Sequence, residues 1–378
     1  MDARRRLPLF DIKGEQASFA AELRQRLDAV LQHCQFILGP EVAELEGRLA
    51  QWCGARHCIG VSSGTDALLI ALMADGVGEG DAVFLPAFTY TATAEVPLLL
   101  GATPVFVDVD PRTFQIDPAD LRRRIAAVRA AGKLRPRALI GVDLFGQPAD
   151  WAALGDIAHA EGLFQLDDAA QSFGASFRNR RLGTLGDATA VSFFPTKPLG
   201  GYGDGGALFT ESDERAALYR SLRSHGEGTT RYEVLRIGIN GRLDTLQAAV
   251  LLARFSVFDA ALAARERIAG AYDRALSGLV ETPARVPHST SAWAIYSVLL
   301  PDSAARTRAQ QALAEAGIGS NIYYPRPLHR QPAYAAYHDG DPLPNSDAVS
   351  ERILALPMHP RLEEADIHHI ADVLRKAL

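Results

Sequence analysis

One lysine stands in a setting suited to nucleophilic chemistry. Lys197 lies in the segment SFFPTKPLGGYGDGG, residues 192–206, with Pro195 and Pro198 close on either side. Proline fixes the backbone φ angle and removes a hydrogen-bond donor, so this turn can present one side chain in a defined direction. Most lysines are ordinary surface residues. The aromatic residues before the turn, and the groups described below, favour a reactive amine.

The glycines after Lys197 also fit the pattern G-x-G-x-x-G, at residues 201–206. A dinucleotide-binding loop needs a strand before the glycines, a helix that begins within them, and an acidic residue about twenty positions later. Here a strand-like segment, ALFT, follows the glycines, and the acidic cluster at residues 211–214 comes too early. We interpret the pattern as accidental, which argues against an NAD-dependent oxidoreductase.

Three further segments could surround such a lysine. The turn SSGTD, residues 62–66, precedes a helix, where free backbone N–H groups can bind a phosphate, although a Ser or Thr there could simply cap the helix. Asp167 and Asp168 end a predicted strand, where a carboxylate could pair with a protonated heterocyclic nitrogen, although capping would account for one of them. Tyr90 follows another strand and offers an aromatic face, although core packing is the commoner use of such a ring.

Together these four features match the needs of one cofactor, pyridoxal 5'-phosphate (PLP). A lysine bonds to its aldehyde carbon, a carboxylate keeps its pyridine nitrogen protonated, and a helix N-terminus holds its phosphate. The residue types therefore indicate a PLP enzyme.

The elements that must position these groups follow one pattern from about residue 56. Short β-rich runs, such as HCIGVS, DAVFLP, TPVFVDVD, RALIGVDLF and FQLDD, alternate with amphipathic segments of helical length. This alternation predicts an α/β fold with a mostly parallel sheet covered by helices. We expect a large PLP-binding domain over residues 1–245, then a long connecting helix, or two, and a small C-terminal α+β domain over residues 246–378.

Composition limits the classes of function. The 378 residues carry a formal charge of -6, which gives no broad attraction for nucleic acid or acidic membranes. The apolar runs are too short to span a membrane, and none follows the N-terminal arginines as in a secretory signal, so we expect a cytoplasmic protein. Three cysteines without C-x2-C spacing predict reduced thiols and no metal site.

The sequence resembles the nucleotide-sugar aminotransferases, the DegT-like branch of the fold-type I PLP enzymes, almost from end to end. The similarity rests on FILGPEVAELE, VSSGTDAL, PAFTYTATAE, DLFGQPAD, DDAAQSFGA, SFFPTKPLGGYGDGGA, GINGRLDTLQAA, YYPRPLHRQPAY and LPMHP. It implies an aspartate aminotransferase-like fold with PLP as cofactor. It also implies transfer of an amino group from an amino acid, usually glutamate, to a nucleotide-linked ketosugar.

The resemblance implies roles for individual residues. Lys197 corresponds to the catalytic lysine that bonds to PLP, and Asp168 to the partner of its pyridine nitrogen. Further cofactor contacts are expected from Gly64, Thr65 and Ser192 at the phosphate, Tyr90 stacked on the ring, Gln171 beside the phenolic oxygen, and Asn240. In the family, the asparagine matching Asn240 reaches the phosphate of the neighbouring subunit, which implies a homodimer with shared active sites.

The resemblance also suggests a substrate. The motifs are most similar to those of enzymes that aminate C3 of a UDP-2-acetamido-2-deoxy-3-keto-glucuronate, for polysaccharides such as lipopolysaccharide O-antigen. A uronate would give Arg242 or Arg326 an anionic partner, although Arg242 could instead form a surface salt bridge. The subgroup would carry histidine at Tyr323 and an aliphatic residue at Arg326, in the segment expected to meet the sugar.

These departures keep other readings open. A dTDP-3-keto-6-deoxyhexose is the main alternative substrate, and a 4-keto-hexose another. A PLP-dependent sugar dehydratase would carry histidine in place of Lys197. A non-catalytic regulator would be expected to carry a DNA-binding module, and neither the charge nor the N-terminus of this chain supplies one.

Overall fold

The computed structural model describes residues 6–230 and 232–378. Its described residues form twelve strands, and the strands of the large sheet fall on the β-rich runs of the sequence. They are β1 His57–Val61, β2 Asp81–Pro86, β3 Thr103–Val107, β4 Arg135–Val142, β5 Phe164–Asp168, β6 Ser176–Phe177, β7 Arg180–Arg181, β8 Ala188–Ser192, β9 Gly206–Thr210, β10 Ser289–Thr290, β11 Tyr296–Leu299 and β12 Ile353–Leu356.

Seven of these strands form the central sheet, in the order β1-β9-β8-β5-β4-β2-β3. The five strands from β3 to β8 in that order pair in parallel, whereas β9 runs antiparallel to β8 and β1. All positions of β2, β5 and β9 are buried, as expected for a sheet with both faces covered. The sheet is therefore mostly parallel, as the alternating sequence pattern predicts.

The helices cover this sheet and build the second half of the chain. They are α1 Ile12–Gln16, α2 Ala20–His33, α3 Pro40–Cys53, α4 Gly64–Ala74, α5 Ala92–Leu99, α6 Pro118–Ala131, α7 Trp151–Glu161, α8 Asp213–Leu222, α9 Thr245–Phe255, α10 Phe258–Ala275, α11 Ser303–Glu315, α12 Pro344–Arg352 and α13 Glu364–Ala377. Side-chain caps begin several of them: Asp150 accepts a hydrogen bond from the Ala153 N–H at α7, and Ser212 from the Arg215 N–H at α8.

The long helical segment after residue 240 is two helices rather than one, since α9 and α10 meet at a bend of 60°. Among the described residues no single helix has the length and apolar character to cross a membrane; this bent pair together passes that test. Strands β11 and β12 pair antiparallel and share a core with α10, α11 and α13, which Leu7 also joins. The division of the chain into two domains at residue 245 remains a proposal.

Candidate active site

The predicted residues converge because parallel strands share an orientation. The carboxyl ends of β2, β5 and β8 lie at one edge of the sheet. Asp168 is the last residue of β5, Ser192 is the last residue of β8, and Tyr90 lies in the loop that follows β2. Open α/β sheets bind ligands at this edge. The topology therefore places a candidate active site here.

Lys197 lies in a tight turn after β8. Its backbone N–H donates to the Phe194 carbonyl at 2.8 Å, and the turn closes where the Gly201 N–H donates to the Phe193 carbonyl at 2.7 Å. A Cβ at Gly200 would lie 2.4 Å from the Pro195 carbonyl oxygen, so this turn requires glycine there. Burial lowers the pKa of Lys197 to about 8, an effect that the carboxylate of Asp168 opposes. Such an amine is partly neutral near pH 7 and can act as nucleophile or proton acceptor.

Asp168 provides a buried carboxylate near enough to this amine for the two charges to interact. Its side chain is 7% exposed, and it accepts hydrogen bonds from the Thr93 hydroxyl at 3.3 Å and the Ala170 N–H at 3.2 Å. Burial raises the pKa of Asp168, while the Ala170 N–H, Lys197 and Thr93 counteract the rise. A cation beside a buried carboxylate stabilises its charged form. The site therefore suits a protonated ring nitrogen.

Gln171 is held between two partners at the same edge. Its Oε1 accepts a hydrogen bond from the Phe145 N–H at 2.6 Å, and its Nε2 donates to the Tyr324 hydroxyl at 3.2 Å. Burial raises the pKa of Tyr324, which keeps this hydroxyl protonated. The pair links the large sheet to the C-terminal segment that contains Tyr324.

The turn before α4 forms an anion cradle. Ser63 is the N-cap of this helix and accepts a hydrogen bond from the Asp66 N–H at 3.0 Å, which answers the question of capping and leaves Gly64 and Thr65 in the first turn. N–H groups in a first helical turn have no intrahelical partner, and the helix dipole favours an anion there. A Cβ at Gly64 would lie 2.7 Å from the Cβ of Ser192, so the close approach of these two backbones depends on glycine.

An amine, a buried carboxylate and an anion cradle at one sheet edge match the three polar ends of PLP. Gly64 allows Ser192 to approach the cradle closely, so that a hydroxyl lies beside the free N–H groups of the first turn, and Asp168 has the sign of charge that a pyridinium needs. The residues present therefore fit this cofactor.

Tyr90 and the C-terminal segment border the same space. The Tyr90 side chain is 57% exposed, and its ring centroid lies 6.2 Å from that of Tyr324. The Leu328 N–H donates to the Ala87 carbonyl at 2.7 Å, which docks the C-terminal segment on the loop after β2. The neighbouring predicted residues of that segment are Tyr323, half-buried with its ring 5.9 Å from the Tyr324 ring, and Arg326, which is exposed.

Asn240 and Arg242 lie beside β1. The Asn240 amide oxygen accepts hydrogen bonds from the Nε and Nη2 of Arg242, at 3.1 and 2.7 Å. The Ser62 N–H donates to the Gly241 carbonyl at 2.9 Å, so this segment lies next to the anion cradle of its own chain. The two residues thus pair with each other within one chain, and the role of Asn240 across a dimer remains a proposal.

Sequence reasoning missed Thr93, Phe145 and Tyr324. Thr93 follows Tyr90 in the motif PAFTYTATAE, at a spacing that places it in the first turn of α5, and it could have been noticed there. Phe145 acts through its backbone N–H, with φ at 63°, and Tyr324 is more than 150 residues from Gln171 in sequence. No local pattern signals either contact.

Comparisons with known proteins give one family. Residues 18–375 match the DegT/DnrJ/EryC1/StrS aminotransferase family. The chain is 44% identical, over 97% of its length and 99% of the relative, to the UDP-2-acetamido-2-deoxy-3-oxo-D-glucuronate aminotransferase of Pseudomonas aeruginosa. It is 40% identical to the pleiotropic regulatory protein of Geobacillus stearothermophilus, over 97% of each chain.

The fold is shared as well. The crystal structure of a DegT DnrJ EryC1 StrS aminotransferase from Brucella abortus superposes with a TM-score of 0.95 and 45% identity, over 98% of this chain and 99% of that one. These findings confirm the predicted aspartate aminotransferase-like fold, the enzyme class and the cofactor. The chain belongs to the DegT/DnrJ/EryC1/StrS aminotransferase family of PLP-dependent enzymes.

Proposed function

We propose that this protein transfers an amino group from glutamate to C3 of UDP-2-acetamido-2-deoxy-3-keto-glucuronate in the cytoplasm, for polysaccharide biosynthesis. The observation that carries the reaction type is the amine of Lys197, whose pKa burial lowers to about 8, near the buried carboxylate of Asp168 at the carboxyl edge of the sheet. The proposed substrate rests on the 44% identity to the UDP-2-acetamido-2-deoxy-3-oxo-D-glucuronate aminotransferase and on the exposed Arg326 beside the site.

The chain's own residues divide the work. When bound, PLP supplies an electron sink for charge at the carbon next to the transferred nitrogen. The amine of Lys197 accepts the Cα proton of the amino donor and later returns a proton on the sugar side. Asp168 accepts the hydrogen bond of the ring nitrogen, and the first turn of α4 holds the phosphate.

A panel of UDP- and dTDP-ketosugars, offered with glutamate, tests the substrate directly. We expect an aminosugar from the UDP-linked 3-keto-uronate and less from dTDP-3-keto-6-deoxyhexoses or 4-keto-hexoses. Turnover of a dTDP-sugar alone would replace the proposed substrate with the main alternative. A regulator, the role named for one relative, would bind PLP and turn over none of the panel.

Arg326 is the residue that we expect to recognise the uronate carboxylate. It is exposed and lies two residues before Leu328, which anchors its segment beside the loop of Tyr90. A charged hydrogen bond of this kind is worth about 10-fold or more, so Arg326→Ala should raise KM for the uronate by at least that factor and leave kcat nearly unchanged.

Two comparisons control this prediction. The corresponding sugar without a carboxylate should show little change in KM with Arg326→Ala. Arg330→Ala removes an exposed arginine four residues away that pairs with Asp347, and it should leave KM for the uronate unchanged. An equal effect of Arg326→Ala on both sugars would contradict carboxylate recognition.

Exposed apolar side chains support a homodimer. They cluster at residues 36–38 and 234–237, and Ile237 is 85% exposed, three residues before Asn240. Surfaces of this kind on a soluble chain commonly mark an interface. A second copy that covered residues 234–237 would bring Asn240 close to the neighbouring subunit, as a shared active site requires.

Mixed dimers test the shared site. We expect Asn240→Ala to weaken cofactor binding, and we expect activity to return when Asn240→Ala and Lys197→Ala subunits are mixed, since one site of each mixed dimer is then intact. Random mixing would restore about a quarter of the wild-type sites. A mixture of Lys197→Ala with Asp168→Asn should stay inactive. Lys197 and Asp168 of each site belong to the same chain, so neither site of a mixed dimer contains both residues. No recovery in the first mixture would contradict a contribution of Asn240 across the interface.

A further inference from the structure

The turn that carries Lys197 is held from behind by helix α9. The Nη1 of Arg254 donates to the carbonyl oxygens of Pro195 at 3.3 Å and Gly200 at 3.1 Å, one on each side of Lys197. Gln247, on the same helix, accepts a hydrogen bond from the Tyr202 N–H at 2.8 Å. Arg254 lies seven positions after Gln247, close to two helical turns, so both side chains lie on one face of α9.

Arg254 is itself fixed by a buried ion pair. Its side chain is nearly inaccessible, and its Nη2 donates to the Glu15 Oε2 at 2.7 Å. Glu15 belongs to α1, and its other oxygen lies 3.8 Å from Arg265 of α10. The position of the Lys197 turn is therefore connected through Arg254 to the N-terminal helix.

The side of the Lys197 turn that faces Arg254 is only partly close-packed. A cavity of about 290 Å³ is bordered by Pro198, Arg254, Glu15 and Phe258. Close-packed neighbours normally fix a buried turn through many short contacts. Where a cavity replaces some of those contacts, directional hydrogen bonds take a larger share in fixing the backbone.

We propose that Arg254, oriented by Glu15 and assisted by Gln247, is a positioning residue that holds the Lys197 amine for its bond to PLP. This rests on the proposed function only in that Lys197 is the residue that bonds to the cofactor. In that reaction the Lys197 Nζ forms a double bond to the aldehyde carbon, and the aldehyde oxygen leaves as water. A guanidinium has five N–H donors in a fixed plane, so it can donate to two carbonyls and a carboxylate at the same time. A lysine ammonium in the same place has three donors on one nitrogen and cannot reach all three acceptors with equal geometry.

The rate at which the cofactor-free protein captures PLP tests this role without any turnover. Capture is followed across pH by borohydride trapping and mass analysis of the Lys197 peptide. Capture by the wild-type protein should increase as pH rises through about 8, since only the neutral amine reacts and burial lowers the pKa of Lys197 to that value. The charged group that acts on this amine is Asp168, which is unchanged in the variants.

In Arg254→Gln we expect capture to slow about tenfold or more, the factor associated with the loss of a charged hydrogen bond. The pH midpoint should move upward, because a looser turn exposes the Lys197 amine to water and removes part of the burial that lowers its pKa. Arg254→Lys should recover part of the rate. Gln247→Ala, at a half-buried position with one hydrogen bond to the turn, should slow capture less, and it keeps the test available if Arg254→Gln does not fold.

Arg124→Gln is the matched control. Arg124 of α6 is also almost fully buried, and its Nη2 donates to two carbonyls, those of Asp341 at 3.1 Å and Pro342 at 3.3 Å, while its Nη1 donates to the Asp339 carboxylate at 3.1 Å. These partners lie outside the Lys197 turn and outside the Glu15 ion pair. The variant should lower thermal stability and keep the wild-type capture rate and pH midpoint. Unchanged capture in Arg254→Gln and Gln247→Ala, or an equal decrease in Arg124→Gln, would overturn this inference alone. Wild-type protein that captured no PLP would overturn it together with the proposed function.

Discussion

Lys197→Ala is expected to abolish the visible absorbance of the bound cofactor and to end transamination. The substitution removes the only atom of this side chain that can bond to PLP and the amine that moves the substrate proton. Loss of the proton transfer alone lowers turnover about 10²–10⁴-fold, and loss of the covalent bond adds to this. Absorbance spectra of the purified protein and a glutamate-dependent assay measure the two effects separately.

Lys133→Ala is the matched control for this prediction. Lys133 is an exposed lysine between α6 and β4, so it lies at the amino edge of the sheet and not at the carboxyl edge. The control should keep both the absorbance and the turnover of the wild-type protein. Full turnover of Lys197→Ala would show that another group performs the chemistry.

Asp168→Asn should decrease turnover about 10²–10³-fold, the usual effect of removing one preorganised electrostatic group from an active site. The amide has nearly the shape of the carboxylate but no charge, so it cannot stabilise a protonated ring nitrogen. PLP should still bind, because Lys197 and the first turn of α4 are intact. Steady-state kcat, together with the PLP content of the variant, measures the effect.

The preceding residue provides an unusually close control. Asp167 is fully buried on the same strand, where burial and the neighbouring carboxylate of Asp143 raise its pKa well above the ordinary value. Burial therefore disfavours its charged form, and it accepts a hydrogen bond from the Thr189 hydroxyl at 3.1 Å. Asp167→Asn keeps the shape of this side chain and should change kcat only a few-fold. Equal losses in the two variants would mean that the charge of Asp168 is not the cause.

Much of the fold follows from patterns along the chain. Runs such as DAVFLP and RALIGVDLF are short and apolar, and they alternate with helical segments, which is enough to predict a parallel sheet. Once the strands are parallel, the residues that follow their carboxyl ends must meet. This is why Lys197 and Asp168 could be placed at one site. The turn at Ser63 could be located at a helix start because a β-rich run precedes it and a helical segment follows it.

Other features depend on contacts that no local pattern encodes. The apolar periodicity allows one long helix or two and does not locate the bend between α9 and α10, and Leu7 joins a core formed mainly by residues from 268 onward. Arg254 reads as an ordinary helical arginine in sequence, although it holds the Lys197 turn 59 residues away. Such pairings are set by tertiary packing, which overrides local propensity.

The central claim is that this protein moves nitrogen from glutamate to a nucleotide-linked ketosugar. It is tested most directly by incubating the PLP-loaded protein with ¹⁵N-labelled glutamate and UDP-2-acetamido-2-deoxy-3-keto-glucuronate. The mass of the sugar product is then measured by mass spectrometry. We expect ¹⁵N in an amino group at C3 of the sugar, and none with Lys197→Ala. A protein that holds PLP on Lys197 yet leaves this sugar and every other ketosugar of the panel without label would contradict the account.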